Sequence, residues 1–257
     1  LYGKHAHTKL IDIYQQAADI SQQYNQWEQA VDYRQSTIDT ISILYVGRVV
    51  SRLLDAYVDF TNTLCLMGKL DQAEEQLDLV KCLLPSVEHE LTNKMLTFKI
   101  LHGYMKIYQA KKSYQWAYEH YEKATVYRTT LEGNQYYRLQ LAKFYLDAFD
   151  TWINYDKFDE CQHRLTDAIS IISEQCGRNH SDLAKAYCQL AILDLIQGKY
   201  ELAEKYLLQA YEIYEKLPKI YPNYFITLTN LIKVYQRFKD GEKALLYAEK
   251  LYQNAEK

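Results

Sequence analysis

Six times along the 257-residue chain a small residue stands three positions after a residue that closes a turn. The pairs are Trp27 with Ala30, Leu70 with Ala73, Tyr114 with Ala117, Phe158 with Cys161, Tyr200 with Ala203 and Gly241 with Ala244. By subtraction, successive small residues lie 43, 44, 44, 42 and 41 positions apart. A chain that repeats at this period builds one supersecondary unit after another, and each unit needs its neighbours to bury its apolar side.

The unit is clearest between Gly177 and Leu217. Ala184, Tyr187, Leu190 and Ala191 form one stripe of a 3.6-residue helix, and Gly198-Lys199 breaks it. A second helix then carries Tyr200, Ala203, Leu207, Ala210 and Ile213 on one face, with Glu201, Glu204, Lys205 and Glu212 on the other. The same two-helix pattern recurs upstream and downstream: Leu54, Tyr57, Phe60 and Leu64 turn at Gly68, and Phe225, Leu228, Leu231 and Tyr235 turn at Lys239-Asp240-Gly241. In the first unit Gly47 is the expected stop of the second helix. The third unit has Lys111-Lys112-Ser113 in place of a glycine turn, and the fourth has Phe149 where a small residue is expected. With Gly and Pro scarce, and Pro85, Pro218 and Pro222 all between helical patterns, an all-helical chain follows.

Ala191, Ala203 and Ala210 stand where the tetratricopeptide repeat (TPR) has its small residues, so residues 177–217 resemble that family. The period of about 43, the linker Gly177-Arg178-Asn179-His180 and the turn Gly198-Lys199-Tyr200 resemble the longer repeats of kinesin light chains. A similar helical region also follows the catalytic domain of SET/MYND methyltransferases. The resemblance implies a right-handed TPR-like α-solenoid of about six helix-turn-helix repeats, forming one array over residues 1–257. The repeats are expected near 8–46, 48–85, 90–131, 135–176, 180–217 and 222–257. A chain that opens at Leu1 and enters a helical pattern at once reads as part of something longer.

Composition narrows the function. A formal charge of −3 argues against general nucleic-acid binding, and no apolar run is long enough to insert in a membrane. Five cysteines without a C-x-x-C pair fit free thiols in a reducing, cytoplasmic setting, with cytoskeletal association implied by the kinesin resemblance. Cys176 and His180, four apart, would also need an orienting third group and an oxyanion hole for thiol catalysis, and the linker resemblance already accounts for His180. His5 and His7 supply too few ligands for a metal, and no cofactor fingerprint occurs. The 26 tyrosines fall largely on the apolar stripes, where packing explains most of them.

In TPR solenoids the first helix of each pair lines a concave surface, and the resemblance carries that role to particular residues here. In the first two units they are Asp12, Asp19, Asp55 and Asn62. The third and fourth contribute Lys99, His102, Lys106, Lys143 and Asp150. The last two contribute Lys185, Lys233, Gln236 and Arg237. Such a lining runs from acidic to basic and suits a protein or peptide, as an extended segment or a helix, of opposite polarity. The Lys and Asn of a carboxylate clamp are replaced by Gln15 and Asp19 in the first unit, so no EEVD-type chaperone tail is expected. The expected function is a non-catalytic interaction scaffold or adaptor, a subunit of a multi-protein assembly. The alternatives are the C-terminal region of a larger enzyme such as a SET/MYND methyltransferase, and a peptide-sensing regulator.

Overall fold

All six turns between paired helices are built alike. In the computed structural model, which describes residues 2–46, 50–87, 89–218 and 221–255 with the side chains of 2–6 and 136 excepted, a left-handed residue lies five positions before each small residue. These residues are Asn25, Gly68, Lys112, Asp156, Gly198 and Lys239, with φ between 53° and 76°. The next amide donates back over the turn to the helix just ended, from Gln26 to Ser21, Lys69 to Leu64, Ser113 to Tyr108, Lys157 to Trp152, Lys199 to Asp194 and Asp240 to Tyr235, at 2.8–3.0 Å. This pattern uses carbonyls that the helix end would otherwise leave unbonded. The same residue then offers its own carbonyl to the amide of Ala30, Ala73, Ala117, Cys161, Ala203 or Ala244, starting the second helix. Turn and small residue are therefore one device.

The chain divides into two compact units, Leu1–Arg128 and Thr129–Lys257. Unit 1 holds α1 (Tyr2–Gln23), α2 (Trp27–Leu44), α3 (Ser51–Leu66), α4 (Leu70–Leu83), α5 (Glu90–Ala110) and α6 (Tyr114–Thr125). Each first helix packs on its own second helix, and α3 also packs on α2 and α5. Ala30, Ala73 and Ala117 are completely buried where the paired helices approach. Leu54, Leu77, Val80, Leu96, Ile100 and Ile107 fill the space between pairs. A short α7 (Arg128–Glu132) begins at the boundary.

Unit 2 holds α8 (Gln135–Asp147), α9 (Phe149–Asn154), α10 (Phe158–Cys176), α11 (Ser181–Ile196), α12 (Tyr200–Glu215), α13 (Pro222–Arg237) and α14 (Gly241–Ala255). Here α11 packs against α8, α10, α12 and α13. Cys161 and Ala203 are fully buried, so the thiol fills the place of an alanine methyl.

Two details differ from the sequence reading. Gly241 does not make the last turn; Lys239 takes the left-handed conformation and Gly241 opens α14. The first helix of the fourth repeat is interrupted at Ala148, although Ala148 N–H still bonds Phe144 O at 2.9 Å and Trp152 N–H bonds Ala148 O at 3.1 Å. The interruption is thus a kink. It falls beside the bulky Phe149, which stands at the small-residue position and is buried with Tyr145 and Trp152. The expected stop at Gly47 and the bounds at Arg48 and Lys257 lie outside the described residues. Among the described residues there is no strand, and no helix is long and apolar enough to cross a membrane.

Candidate partner-binding lining

In unit 1 residues expected to line the groove bond one another. Lys99 Nζ donates to Asp55 Oδ1 at 2.5 Å, and Lys106 Nζ donates to Asn62 Oδ1 at 3.0 Å. Both pairs link α3 to α5 at a separation of 44 residues, the local repeat length, so each joins equivalent positions of successive units. Between α1 and α3, Arg52 pairs with Asp12, and Gln22 Nε2 donates to Thr63 Oγ1 at 2.5 Å. Asp19 accepts from Arg34 of α2 at 2.5 Å. His102 packs its ring 6.1 Å from Phe98 on the same helix. The acidic and basic residues expected to face a partner thus largely compensate each other within the protein.

Arg34 is 6% exposed and holds the inner end of this network. Near it lies Asp59, whose carboxyl is pushed above the usual range by loss of hydration; Arg34 and Lys99 oppose that shift, and Asp55 and Asp19 add to it. An acid with a raised folded pKa stabilises the fold while it stays protonated and withdraws that contribution as pH rises through the raised value. Asp59→Asn is therefore expected to make unit 1 more stable than wild type at pH 7, with the gain disappearing below the ordinary carboxylate range. Urea unfolding at pH 7 and pH 3 checks the sign.

Unit 2 has a different balance. Lys185 Nζ donates to Asp147 Oδ1 at 3.0 Å, and the buried Gln189 donates to the Leu146 carbonyl at 2.8 Å, fixing α11 against α8. Arg237 lies 5.5 Å from the centre of the Tyr200 ring. Asp150 is pushed up by desolvation, which Lys185 partly opposes. Lys143, Lys233 and Gln236 are exposed, and no ion pair holds Lys143 or Lys233 among the described residues. The first helices α8, α11 and α13 are packed in that order, so these cations share one unit.

Tyrosine hydroxyls make a second set of bonds that spacing alone did not reveal. Tyr108 Oη donates to Glu74 at 2.6 Å, and Tyr235 Oη donates to Glu204 at 2.7 Å. In each case the tyrosine lies nine residues before one small residue and the glutamate one after the preceding one. Lys111 also reaches Glu74, at 2.7 Å, and holds that carboxyl below its ordinary range, while the bond to Glu74 pushes the Tyr108 phenol up to about 12. A signal was present in the sequence: equivalent positions carry opposite or complementary groups, as at Asp55/Lys99 and Asn62/Lys106.

Of the groups considered for chemistry, His180 has a structural role. His180 Nδ1 caps α11 by accepting from Asp182 N–H at 3.2 Å, and His89 caps α5 by accepting from Thr92 N–H at 3.3 Å. Burial pushes the Cys161 thiol up to about 12 and Cys188 up to about 11, which keeps both protonated and poorly nucleophilic at neutral pH. The His5 side chain lies outside the described residues.

Comparison with known proteins agrees with this architecture. Residues 156–216 match the family model described as tetratricopeptide repeat. No curated protein sequence matches the chain. Among solved structures, BtubC (BKLC) from P. vanneervenii aligns with a TM-score of 0.68 at 15% identity, over 97% of this chain and 91% of that one. The apo form of RapI aligns at 0.66 and 17% identity, over 79% of this chain and 70% of that one. The nearly identical TPR-like repeats of a putative kinesin light chain from Podosopora anserina align at 0.57 and 17% identity, over 80% and 95%. At such identities the likeness concerns the fold. The family pattern lies in residues 156–216, and the chain around it has a tetratricopeptide-repeat-like fold in which the same helix-turn-helix device recurs at all six small residues.

Proposed function

We propose that the protein is a non-catalytic scaffold that holds another protein, as a subunit of a larger assembly, and that the first-helix lining of unit 2 receives an acidic segment of that partner. The observation that carries this reading is the contrast between the two linings. In unit 1 the carboxylates of Asp12, Asp19 and Asp55 meet Arg52, Arg34 and Lys99. Among the described residues, unit 2 leaves the exposed Lys143 and Lys233 outside any internal ion pair and holds Arg237 against a ring. A cation already bonded to its own carboxylate has little to offer a ligand, whereas an exposed one attracts an oppositely charged segment and sets its register. The solved repeat folds it resembles supply the scaffold; the charge pattern supplies the preference. Five free thiols agree with a reducing, cytoplasmic location.

The test begins with affinity capture from the native cell and identification of the partner segment. Lys143→Glu combined with Lys233→Glu should then weaken that segment at least tenfold in a titration and flatten its salt dependence. Circular dichroism should remain unchanged, and Lys205→Glu, an exposed site on α12, should bind as wild type does. Full affinity in the double variant would remove the unit 2 lining from the binding surface.

A further inference from the structure

The end of α12 and the start of α13 bring three tyrosines to a single cavity. Tyr214 lies in the last turn of α12, Tyr221 is the N-cap of α13, and Tyr224 is in its first turn after Pro222. They line a cavity of about 150 Å³ together with Glu215 and with Asn254 of α14. The Tyr214 and Tyr224 rings meet edge to face, with centroids 5.9 Å apart and planes at 68°, and Tyr214 and Tyr221 lie 6.1 Å apart at 36°. Rings at such angles do not cover each other's faces as a parallel stack does. All three line the cavity, and Tyr224 is stacked on Tyr211 as well.

We propose that this cavity binds a methylated ammonium group. Aromatic faces carry negative electrostatic potential and attract cations, best those that hold little water. Glu215 adds a carboxylate at the rim, and Tyr224 Oη donates to it, which fixes that ring. The acidic side chain of Asp182 also acts on Tyr214, whose phenol burial pushes far above its usual range. Two carboxylates thus act on rings of this cavity, Glu215 on Tyr224 and Asp182 on Tyr214.

The volume equals roughly five water molecules, enough for a trimethylammonium head. A bare lysine ammonium would need acceptors for three N–H groups. Besides the tyrosine hydroxyls the lining offers Asn254 and Glu215, and Glu215 already accepts from Tyr224 and lies 3.9 Å from Lys250. A quaternary ammonium has no N–H to satisfy, and its methyl groups match ring walls.

Lysines already stand nearby. Lys250 Nζ donates to the hydroxyl of Tyr211, a ring stacked on Tyr224, and lies 3.9 Å from Glu215. Lys243 lies 4.9 Å from the centre of the Tyr235 ring.

Tetramethylammonium, choline and 3,3-dimethylbutan-1-ol, the uncharged isostere of choline, should be titrated into the whole chain and followed by NMR. Both cations should saturate, and the alcohol should bind at least tenfold more weakly. Tyr221→Leu should reduce cation binding at least tenfold, whereas Tyr221→Phe, which keeps the ring, should retain it. Absence of saturable cation binding to the wild type would overturn the proposal. So would equal binding of the alcohol, or binding that survives Tyr221→Leu. A trimethyllysine peptide binding more tightly than choline would assign the group to a protein partner, and the reverse order would assign it to a free small molecule. The readout does not involve Lys143 or Lys233, so it stands or falls separately from the unit 2 lining.

Discussion

Arg34→Met is expected to destabilise unit 1 by about 2–3 kcal/mol at pH 7, near the lower end of what breaking a buried charge pair costs. The guanidinium is 6% exposed and bonds Asp19, whose own side chain is 58% exposed. Solvent therefore compensates Asp19 when the arginine is removed. It compensates Asp59 less, because that carboxyl is already desolvated and Arg34 and Lys99 oppose the rise in its pKa. Methionine keeps most of the apolar stem, so the loss reports charge rather than a cavity. The cost should shrink in acid as Asp59 takes up a proton. In the double variant with Asp59→Asn, part of the loss should be recovered, since residues in one network are coupled. Hydrogen exchange of α1–α3 resolves the effect from unit 2. A cost independent of both pH and Asp59 would mean that Arg34 acts through packing.

Replacing Lys112, Asp156 and Lys239 together by glycine should stabilise the chain by about 2 kcal/mol in total. Each is exposed and held at φ 53–60°. A side chain in that region costs about 1–2 kcal/mol, and the greater freedom of glycine in the unfolded chain returns about half of it. The three sites lie in separate turns, so their effects should add. Lys112 acts in unit 1 and the other two in unit 2, and hydrogen exchange should divide the gain accordingly. The converse changes, Gly68→Ala and Gly198→Ala, should each cost about 1 kcal/mol, although a Cβ at either position would meet nothing within 4 Å. Strain of the backbone alone would then be the cause. A neutral triple variant would show that these turns relax away from the left-handed conformation in solution.

The small residues Ala30, Ala73, Ala117, Cys161, Ala203 and Ala244 were legible because close helix crossing excludes a large side chain, whatever else surrounds it. The apolar stripes were legible for a related reason: a helix exposes its burial pattern in its own sequence. The six turns were only partly so. Glycine announces Gly68 and Gly198, whereas Asn25, Lys112, Asp156 and Lys239 adopt the same conformation under the demands of helix pairing. Gly241, which looked like a turn residue, instead opens a helix.

The expected lining is a set of helix positions, and such positions do not say which charges stay free. Asp55, Asn62, Lys99 and Lys106 each read as a residue facing outward from its own helix, and one-helix periodicity carries no information about what the next helix presents. Only the packing of α3 against α5 brings Lys99 to Asp55 and Lys106 to Asn62. Repeat period and helix faces are local properties, set by side-chain size and order along the chain. Which charges remain for another molecule, and which tyrosines converge beside Glu215, depend on neighbours brought together by packing, across tens of residues at the lining and across a single interhelix turn at the cavity.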